Sequence, residues 1–323
     1  MKRSYFFVEF CSKSTFDAFS DAYCSCHLCP RNCGCDRSRE AGVCGMTNEL
    51  RISRVGLHMW EEPCISGTSG SGTIFFTGCN LGCIFCQNHE ISRRLSEKDL
   101  SSASPFALPG RPYTVSEFAD AMLSLEKQGA NNINFVTGTH FVPHIIEGVR
   151  LARERGLSIP TLYNCGGYES VETIKSLEGT IDIYLPDMKF FSSDISKKYA
   201  HAADYFERAK EAIAEMVRQC PRQIYNEGGM IQKGVIVRHL MLPGLLFDSK
   251  HILDYLCETY GNSITISLMN QYTPMPGIPE ELDRPLSPEH YRSMIDHLTL
   301  LGQENCFIQE GGTVSESFIP DFE

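Results

Sequence analysis

The sequence holds no uninterrupted apolar run approaching the roughly 18 residues that cross a bilayer, so no membrane-spanning helix is expected. Residues 1–9 carry four apolar residues in a row before a glutamate, short of the roughly 7–15 of a secretory leader, and a cytoplasmic protein without a membrane partner is expected. Positive charge is scarce too. Twenty-nine Lys and Arg face 40 Asp and Glu, for a net charge of -11, the opposite of the basic footprint that nucleic-acid binding leaves; no nucleic-acid partner is expected. No internal sequence repeat or low-complexity tract is apparent either.

Cysteine, by contrast, is plentiful, with 15 in 323 residues. In a chain expected to be cytoplasmic, clustered cysteines point to metal or redox chemistry rather than to a disulfide framework. Hydrophobic content of 42% and charge of 21% are ordinary for a folded protein. The length gives room for one large domain and an appendage.

The most informative cysteines are Cys79, Cys83 and Cys86, a C-x3-C-x2-C triplet directly after the apolar run Thr73 to Phe76. Gly78, Asn80 and Gly82 make the stretch a loop by turn chemistry. Three thiolates on one loop can hold three irons of a 4Fe-4S cluster and leave the fourth iron open to another ligand. A zinc site prefers four protein ligands, and His89 is the only near candidate for a fourth. Three unrelated core cysteines are the plainest alternative.

A second group lies near the N-terminus, where Cys24, Cys26, Cys29, Cys33, Cys35 and Cys44 fall within residues 24–44. Cys26, Cys29, Cys33 and Cys44 give C-x2-C-x3-C-x10-C, a second metal-site candidate for an iron-sulfur cluster or zinc, with free thiols as the alternative and Cys24, Cys35 and His27 as spares. Residues 20–50 are short, polar and glycine-rich, so a metal would supply much of their folding energy.

From residue 73 onward, strands and helices alternate. Strands are expected at 73–76, 133–136, 161–164, 181–185, 234–240 and 263–268. Helices are expected at 115–128, 142–155, 171–177, 204–218, 250–259 and 288–301, with a long loop through 101–105 and a seventh strand at 306–308. Such alternation implies parallel strands with crossover helices. Six units are fewer than the eight of a closed barrel, so the expected fold is α/β: an open, partial (β/α)6 TIM-type barrel. We expect a Cys-rich extension over 1–65, the barrel over 66–280 and a C-terminal helix and tail over 281–323.

Barrel chemistry sits at the C-terminal ends of the strands. There the second strand ends in Thr137, Gly138, Thr139 and His140, the last either a ligand, an acid or a solvated loop residue. The third ends in Asn164, Cys165, Gly166 and Gly167, which can be a binding turn or a plain helix entry. The fourth ends in Asp187, Met188 and Lys189, a charge pair that is either functional or a cheap surface pair. Arg238 lies inside the apolar run of residues 235–242, so a carboxylate must lie near it; a ligand's, Asp187 or another protein carboxylate would serve. Met269 to Pro274 after the sixth strand can line a substrate end or cap the barrel.

The triplet, with Phe85 before its last cysteine, resembles the signature of radical S-adenosylmethionine (SAM) enzymes over most of residues 66–280. Longer strings are similar to pyruvate formate-lyase activating enzyme homologues, in the PflX-type iron-sulfur protein subgroup: residues 58–67 (HMWEEPCISG), 70–73 (GSGT), 29–34 (CPRNCG) and 267–272 (SLMNQY). The plain reading of Trp60 to Cys64 is packing beneath the cluster loop, with Cys64 a spare thiol or ligand. The resemblance implies a 4Fe-4S cluster on Cys79, Cys83 and Cys86 and bound SAM. It implies SAM contacts at Phe85, at Thr137, Gly138 and Thr139 in place of a Gly-Gly-Glu motif, at Asn164 for ribose hydroxyls, and at Arg238. Asp187 and Lys189 resemble the catalytic Asp-x-Lys of glycyl-radical activating enzymes. The implied reaction is reductive cleavage of SAM to a 5′-deoxyadenosyl radical that abstracts hydrogen. A glycyl radical enzyme or another protein is the implied substrate, and flavodoxin or ferredoxin the electron donor. An iron-sulfur carrier or binding module without SAM turnover is the reading from another class.

Overall fold

The computed structural model describes residues 21–92, 109–275 and 277–309. The N-terminal residues 1–9 and the loop expected at 101–105 lie outside them. One ten-stranded sheet organises the chain. Its strands are β1 (Arg51–His58), β2 (Ser71–Phe76), β3 (Arg111–Pro112), β4 (Ile133–Val136), β5 (Thr161–Cys165), β6 (Ile183–Pro186), β7 (Ile224–Tyr225), β8 (Ile231–Leu240), β9 (Thr265–Met269) and β10 (Cys306–Ile308). The order β10-β9-β8-β6-β5-β4-β2-β1-β3, with β7 paired to β8, ends in two free edges, so the barrel is open. Strands β2, β4, β5, β6, β8, β9 and β10 pair in parallel throughout. All six expected strands are present, and so is the seventh, with boundaries that differ by a few residues.

Residues 51–58 were expected in the Cys-rich extension, yet they pair antiparallel with β2 and join the sheet. Alternation is the reason they escape notice: β1 lies near the open edge, most of its residues are half-buried, and its polar side chains blur the period of two. At the other end, β10 ties residues 306–308 to β9.

Parallel strands bury both faces, and here the faces differ. Phe76 and Phe135 point outward onto Phe118 of helix α1 (Val115–Lys127), with ring centroids 5.8 Å away in each case. Thr114 caps that helix, accepting from Glu117 N while the Glu117 carboxylate accepts from Thr114 N, a reciprocal capping box. Phe75, Val136, Asn164, Asp187 and Arg238 face inward and line a cleft. Helix α2 (Tyr205–Gln219) buries Tyr205, Ala209, Ala212, Ile213 and Met216, the spacing of one helical face. Its Tyr205 hydroxyl donates to the carbonyls of Gly166 and Asp187, 2.8 and 3.0 Å away, fixing two strand ends. Gly167 is required beside it: at φ +79°, a Cβ there would sit 2.1 Å from the Asp187 carbonyl oxygen.

Candidate active site

The cleft runs through the inside of the open barrel and has a volume of about 220 Å³. At the C-terminal ends of the strands it is lined by Cys79, Cys83, Phe85 and Cys86 of the loop after β2, by Thr137, Asn164 and Cys165, and by Asp187 and Lys189. Met269 and Gln271 add to it from β9 and the chain beyond, and Gln87 Nε2 donates to the Gln271 carbonyl at 3.0 Å.

The cysteine loop is held from several sides. Gly78 has φ +87°, and a Cβ on it would fall 2.4 Å from Met46 Cγ and 2.8 Å from the Cys44 carbonyl. Cys79 N donates to that same carbonyl at 3.3 Å, so the Cys-rich segment lies directly against the loop. Arg31 extends from that segment and donates to the carbonyls of Asn80, Leu81, Ala200 and His201, while its guanidinium lies 4.9 Å from the Tyr168 ring centroid. Asn80 Nδ2 donates to the Tyr168 carbonyl at 2.6 Å. Phe85 is buried and meets Phe190 edge-on at 5.9 Å, so it packs the floor of the loop and borders the cleft.

The sulfurs are prepared for negative charge. Leu81 N points at Cys79 Sγ and Ser92 Oγ at Cys86 Sγ, each at 3.3 Å. Burial pushes the Cys83 and Cys86 thiols up, while Lys189 pulls both down. Burial acts to lower the Lys189 ammonium, but Asp187 and then Cys83 outweigh it and hold it well above its ordinary range. Lys189 Nζ contacts Asp187 Oδ2 at 2.5 Å, with both side chains largely buried. Bound iron would remove the thiol protons, and a retained lysine cation beside three thiolates offsets part of their charge. Donor type, position and counter-charge all suit a 4Fe-4S cluster. Among the described residues, no three His, Cys, Asp or Glu side chains gather closely enough for a single metal ion. That spacing is no obstacle to a cube, whose thiolates sit on different irons.

Thr137 has φ +59°, a left-handed conformation that costs a β-branched residue about 1–3 kcal/mol and concentrates at functional sites. Its N–H donates to the Asn164 carbonyl at 2.8 Å, which turns the end of β4 into the cleft. Gly138 and Thr139 do not line the cleft. A Cβ on Gly138 would meet Ile145 Cδ1 at 2.5 Å, so close packing explains the glycine. The Thr139 hydroxyl donates to buried Glu169 at 2.8 Å. His140 is no solvated loop residue: it is buried, Nε2 donates to the Thr77 carbonyl at 2.7 Å, and burial and then Arg37 lower it to about 3.

Arg238 finds its carboxylates in Glu61 and Glu62. Nε and Nη2 form a fork on Glu62 at 2.7 and 2.6 Å, and Nη2 also contacts Glu61; Asp187 is not its partner. Asn134 Nδ2 donates to Glu61 at 2.9 Å. Burial would raise Glu62, but Arg238 outweighs it and holds the carboxyl below its usual range. His58 pairs with Ser71 at the start of β2, so His58, Trp60 and Glu61 enter the cleft from the end opposite the cysteines. Trp60 is 58% exposed rather than packed away, and Cys64 packs among Ile65, Leu162, Ile183 and Leu185. The sequence reading missed this polar floor; the signal for it was the Glu61-Glu62 pair, complementary to an arginine inside an apolar strand.

In the Cys-rich segment, Cys26 and Cys44 are buried, while Cys29, Cys33 and Cys35 are half-buried. Cys33 and Cys35 sulfurs stand 3.5 Å apart.

The radical SAM superfamily model matches residues 73–256, more than half of the chain, beginning in β2 and including the cysteine loop. The chain belongs to the radical SAM superfamily. Membership implies a 4Fe-4S cluster and SAM. The uncharacterized protein MJ0674 of Methanocaldococcus jannaschii is 29% identical over 251 residues, covering 77% of this chain and 66% of that protein, so the chain spans just under two thirds of that relative's length. Among solved structures, methylornithine synthase (PylB) is similar at 13% identity and TM-score 0.44, covering 72% of this chain and 70% of that one. Streptococcus suis SuiB bound to S-adenosylmethionine is similar at 12% identity and TM-score 0.45, covering 72% and 48%. No helix among the described residues is long and apolar enough to cross a membrane.

Proposed function

We propose that this chain cleaves SAM reductively with a 4Fe-4S cluster on Cys79, Cys83 and Cys86, abstracts hydrogen from a protein substrate, and so activates a glycyl radical enzyme. The observation that carries the reading is the convergence of the three thiols, the Asp187–Lys189 pair and strained Thr137 on one interior cleft. Cys79, Cys83 and Cys86 would hold the cluster, which when bound would supply the one-electron reduction that SAM cleavage needs, with flavodoxin or ferredoxin in the cytoplasm as the electron donor.

The chain's own residues then have separable tasks. Arg31 and Gly78 fix the cysteine loop, and Lys189 offsets thiolate charge. Thr137 and Asn164, which line the cleft, would offer acceptors to the amino and hydroxyl groups of SAM. Asp187 holds Lys189 and faces the space where substrate enters. The interior position excludes water from a reactive site.

Anaerobic reconstitution with SAM and a strong reductant tests the reading. Cys79→Ala, Cys83→Ala and Cys86→Ala should each bring 5′-deoxyadenosine formation to background; near-normal product from any of them overturns the cluster assignment. Asp187→Asn should still make deoxyadenosine without substrate, yet fail to take up deuterium from a labelled partner protein. Undiminished deuterium transfer would move the substrate site elsewhere. An electron carrier without SAM turnover would give no deoxyadenosine from the unsubstituted protein.

A further inference from the structure

We infer that Cys26, Cys29, Cys33 and Cys44 hold a second, thiolate-bound metal centre whose negative charge is balanced by the buried Arg37. Arg37 has no exposed surface. Its Nε donates to the Met46 carbonyl at 3.1 Å, Nη1 to that of His140 at 2.6 Å, and Nη2 to that of Thr47 at 2.6 Å. Tyr23 and Phe141 rings cover it at 4.9 and 5.6 Å. These contacts satisfy hydrogen bonds but supply no charge, and among the described residues no carboxylate accepts a bond from it. A guanidinium cannot shed its proton, and a buried charge left without a counter-charge is strongly destabilising. The one other hydrogen-bond contact is Cys26 Sγ, 4.0 Å from Nη1. Among the described residues, the side chain in contact with Arg37 that can carry that counter-charge is a cysteine sulfur.

The sulfurs are arranged accordingly. Cys33 Sγ donates to the Cys26 carbonyl and Cys44 Sγ to the Met46 carbonyl, each at 3.9 Å, which draws both thiols into one knot. Cys26 is tied to the same knot by Cys26 N to Cys35 O and Gly34 N to Cys26 O, both 3.0 Å, and its side chain meets Cys33. Gly42 closes over the knot, because a Cβ on it would touch the Cys33 and Cys35 sulfurs at 3.5 Å and Arg37 Cδ at 3.6 Å. Thiols in this setting are not charged on their own; a thiophilic metal makes them thiolates and binds them. Zinc and an iron-sulfur cluster share that chemistry. Among the described residues no three such side chains gather closely enough for a single ion, which is no obstacle to a cluster, whose thiolates sit on different irons. Cys35 lies beside Cys33 without being needed.

The inference does not rest on SAM chemistry, and its test is run without it. The full chain carrying Cys79, Cys83 and Cys86 all replaced by Ala is purified anaerobically, and its zinc, iron and sulfide are measured. One metal centre should remain, read as one zinc or as iron with matching sulfide, and it should be lost with Cys26→Ser, Cys29→Ser, Cys33→Ser or Cys44→Ser but kept with Cys35→Ser. Arg37→Gln keeps donors for the carbonyls but drops the charge, so a chelator should strip the metal at roughly ten- to a hundredfold lower concentration, the usual cost of losing a partner of the ligands. Arg37→Lys should restore most of that. Should the triple variant fold poorly, the unsubstituted chain answers: zinc, or iron beyond a single 4Fe-4S cluster, supports the centre. Metal confined to the triplet, with the four N-terminal thiols freely titratable in the native protein, overturns it, as does Arg37→Gln with unchanged metal retention.

Discussion

Two buried arginines, Arg238 and Arg37, meet the same problem with different means. Arg238 closes the floor of the cleft against Glu61 and Glu62, whereas Arg37, deeper still, is wrapped in carbonyls and sulfur. The first arrangement is complete within the polypeptide: side chains alone balance the charge. The second is incomplete until the sulfurs become anions. A third arginine, Arg31, also binds only carbonyls, but it is half-buried, and water screens what the protein does not. Burial, then, decides which carbonyl-bound arginine calls for a metal.

The largest stability effect is expected at Arg238. Arg238→Ala leaves Glu61 and Glu62 facing each other without a cation, and breaking a buried pair in this way costs about 3–5 kcal/mol. The pH dependence gives the mechanism away. Glu62 is held below its usual range, so the folded protein gains from this carboxylate above the ordinary glutamate pKa of about 4.3 and loses that gain as pH falls through the lowered value. Without the arginine, protonation relieves the site instead. Urea unfolding should therefore show a gap between parent and variant that is wide at pH 7.5 and narrows toward pH 4.5. A gap independent of pH would mean that lost packing, not charge, sets the cost.

Arg31→Ala comes next, with an expected loss of about 1.5–3 kcal/mol, the scale of hydrogen bonds made by a charged group. Its effect should concentrate on the loop it clamps: iron bound to Cys79, Cys83 and Cys86 should fall off faster under a chelator, while the unfolding midpoint moves modestly. Iron release at the parental rate would show that Gly78 and Asn80 hold the loop alone.

How far the sequence reveals these arrangements depends on the range of the forces. The parallel strands and the cysteine loop were legible because they are local: apolar runs such as Ile133–Val136 carry their own period, and C-x3-C-x2-C carries its own ligands. Arg238 was recognisable as a charge needing a carboxylate, yet Glu61 and Glu62 lie more than 170 positions away, and nothing local pairs them. Arg37 gave no signal at all, since its burial arises from Tyr23, Phe141 and the carbonyls of Met46, Thr47 and distant His140, which only the fold brings together. Strand β1 was overlooked for a related reason: its place is set by pairing with β2, not by a hydrophobic pattern of its own. Thr139, two positions after Thr137, points into the core because the chain enters a 3-10 turn there, a conformational choice that the residues TGTH do not announce.

Thr139 leads to the mirror image of Arg37, a buried carboxylate without a cation. Glu169 is 1% exposed and accepts from Thr139 at 2.8 Å and from Tyr163 at 3.2 Å. A carboxyl, unlike a guanidinium, can neutralise itself by taking a proton: burial raises Glu169 to about 8, against the smaller lowering by Thr139 and Tyr163. The unfolded chain releases that proton near pH 4.5 and the folded chain does not, so folding becomes less favourable as pH rises between about 4.5 and about 8. Glu169→Gln removes the titration while keeping an acceptor for Thr139. It should match the parent near pH 4.5 and exceed it at pH 8 by about 1–3 kcal/mol, a discount on the full shift for relaxation around the site. The measurement is the urea midpoint across that range. If the variant is instead less stable at every pH, Glu169 is ionised in the folded protein and must have a cation within reach; Arg37, whose Nη1 binds the carbonyl of the residue after Thr139, would be the first to examine, and its need for anionic sulfur would weaken accordingly.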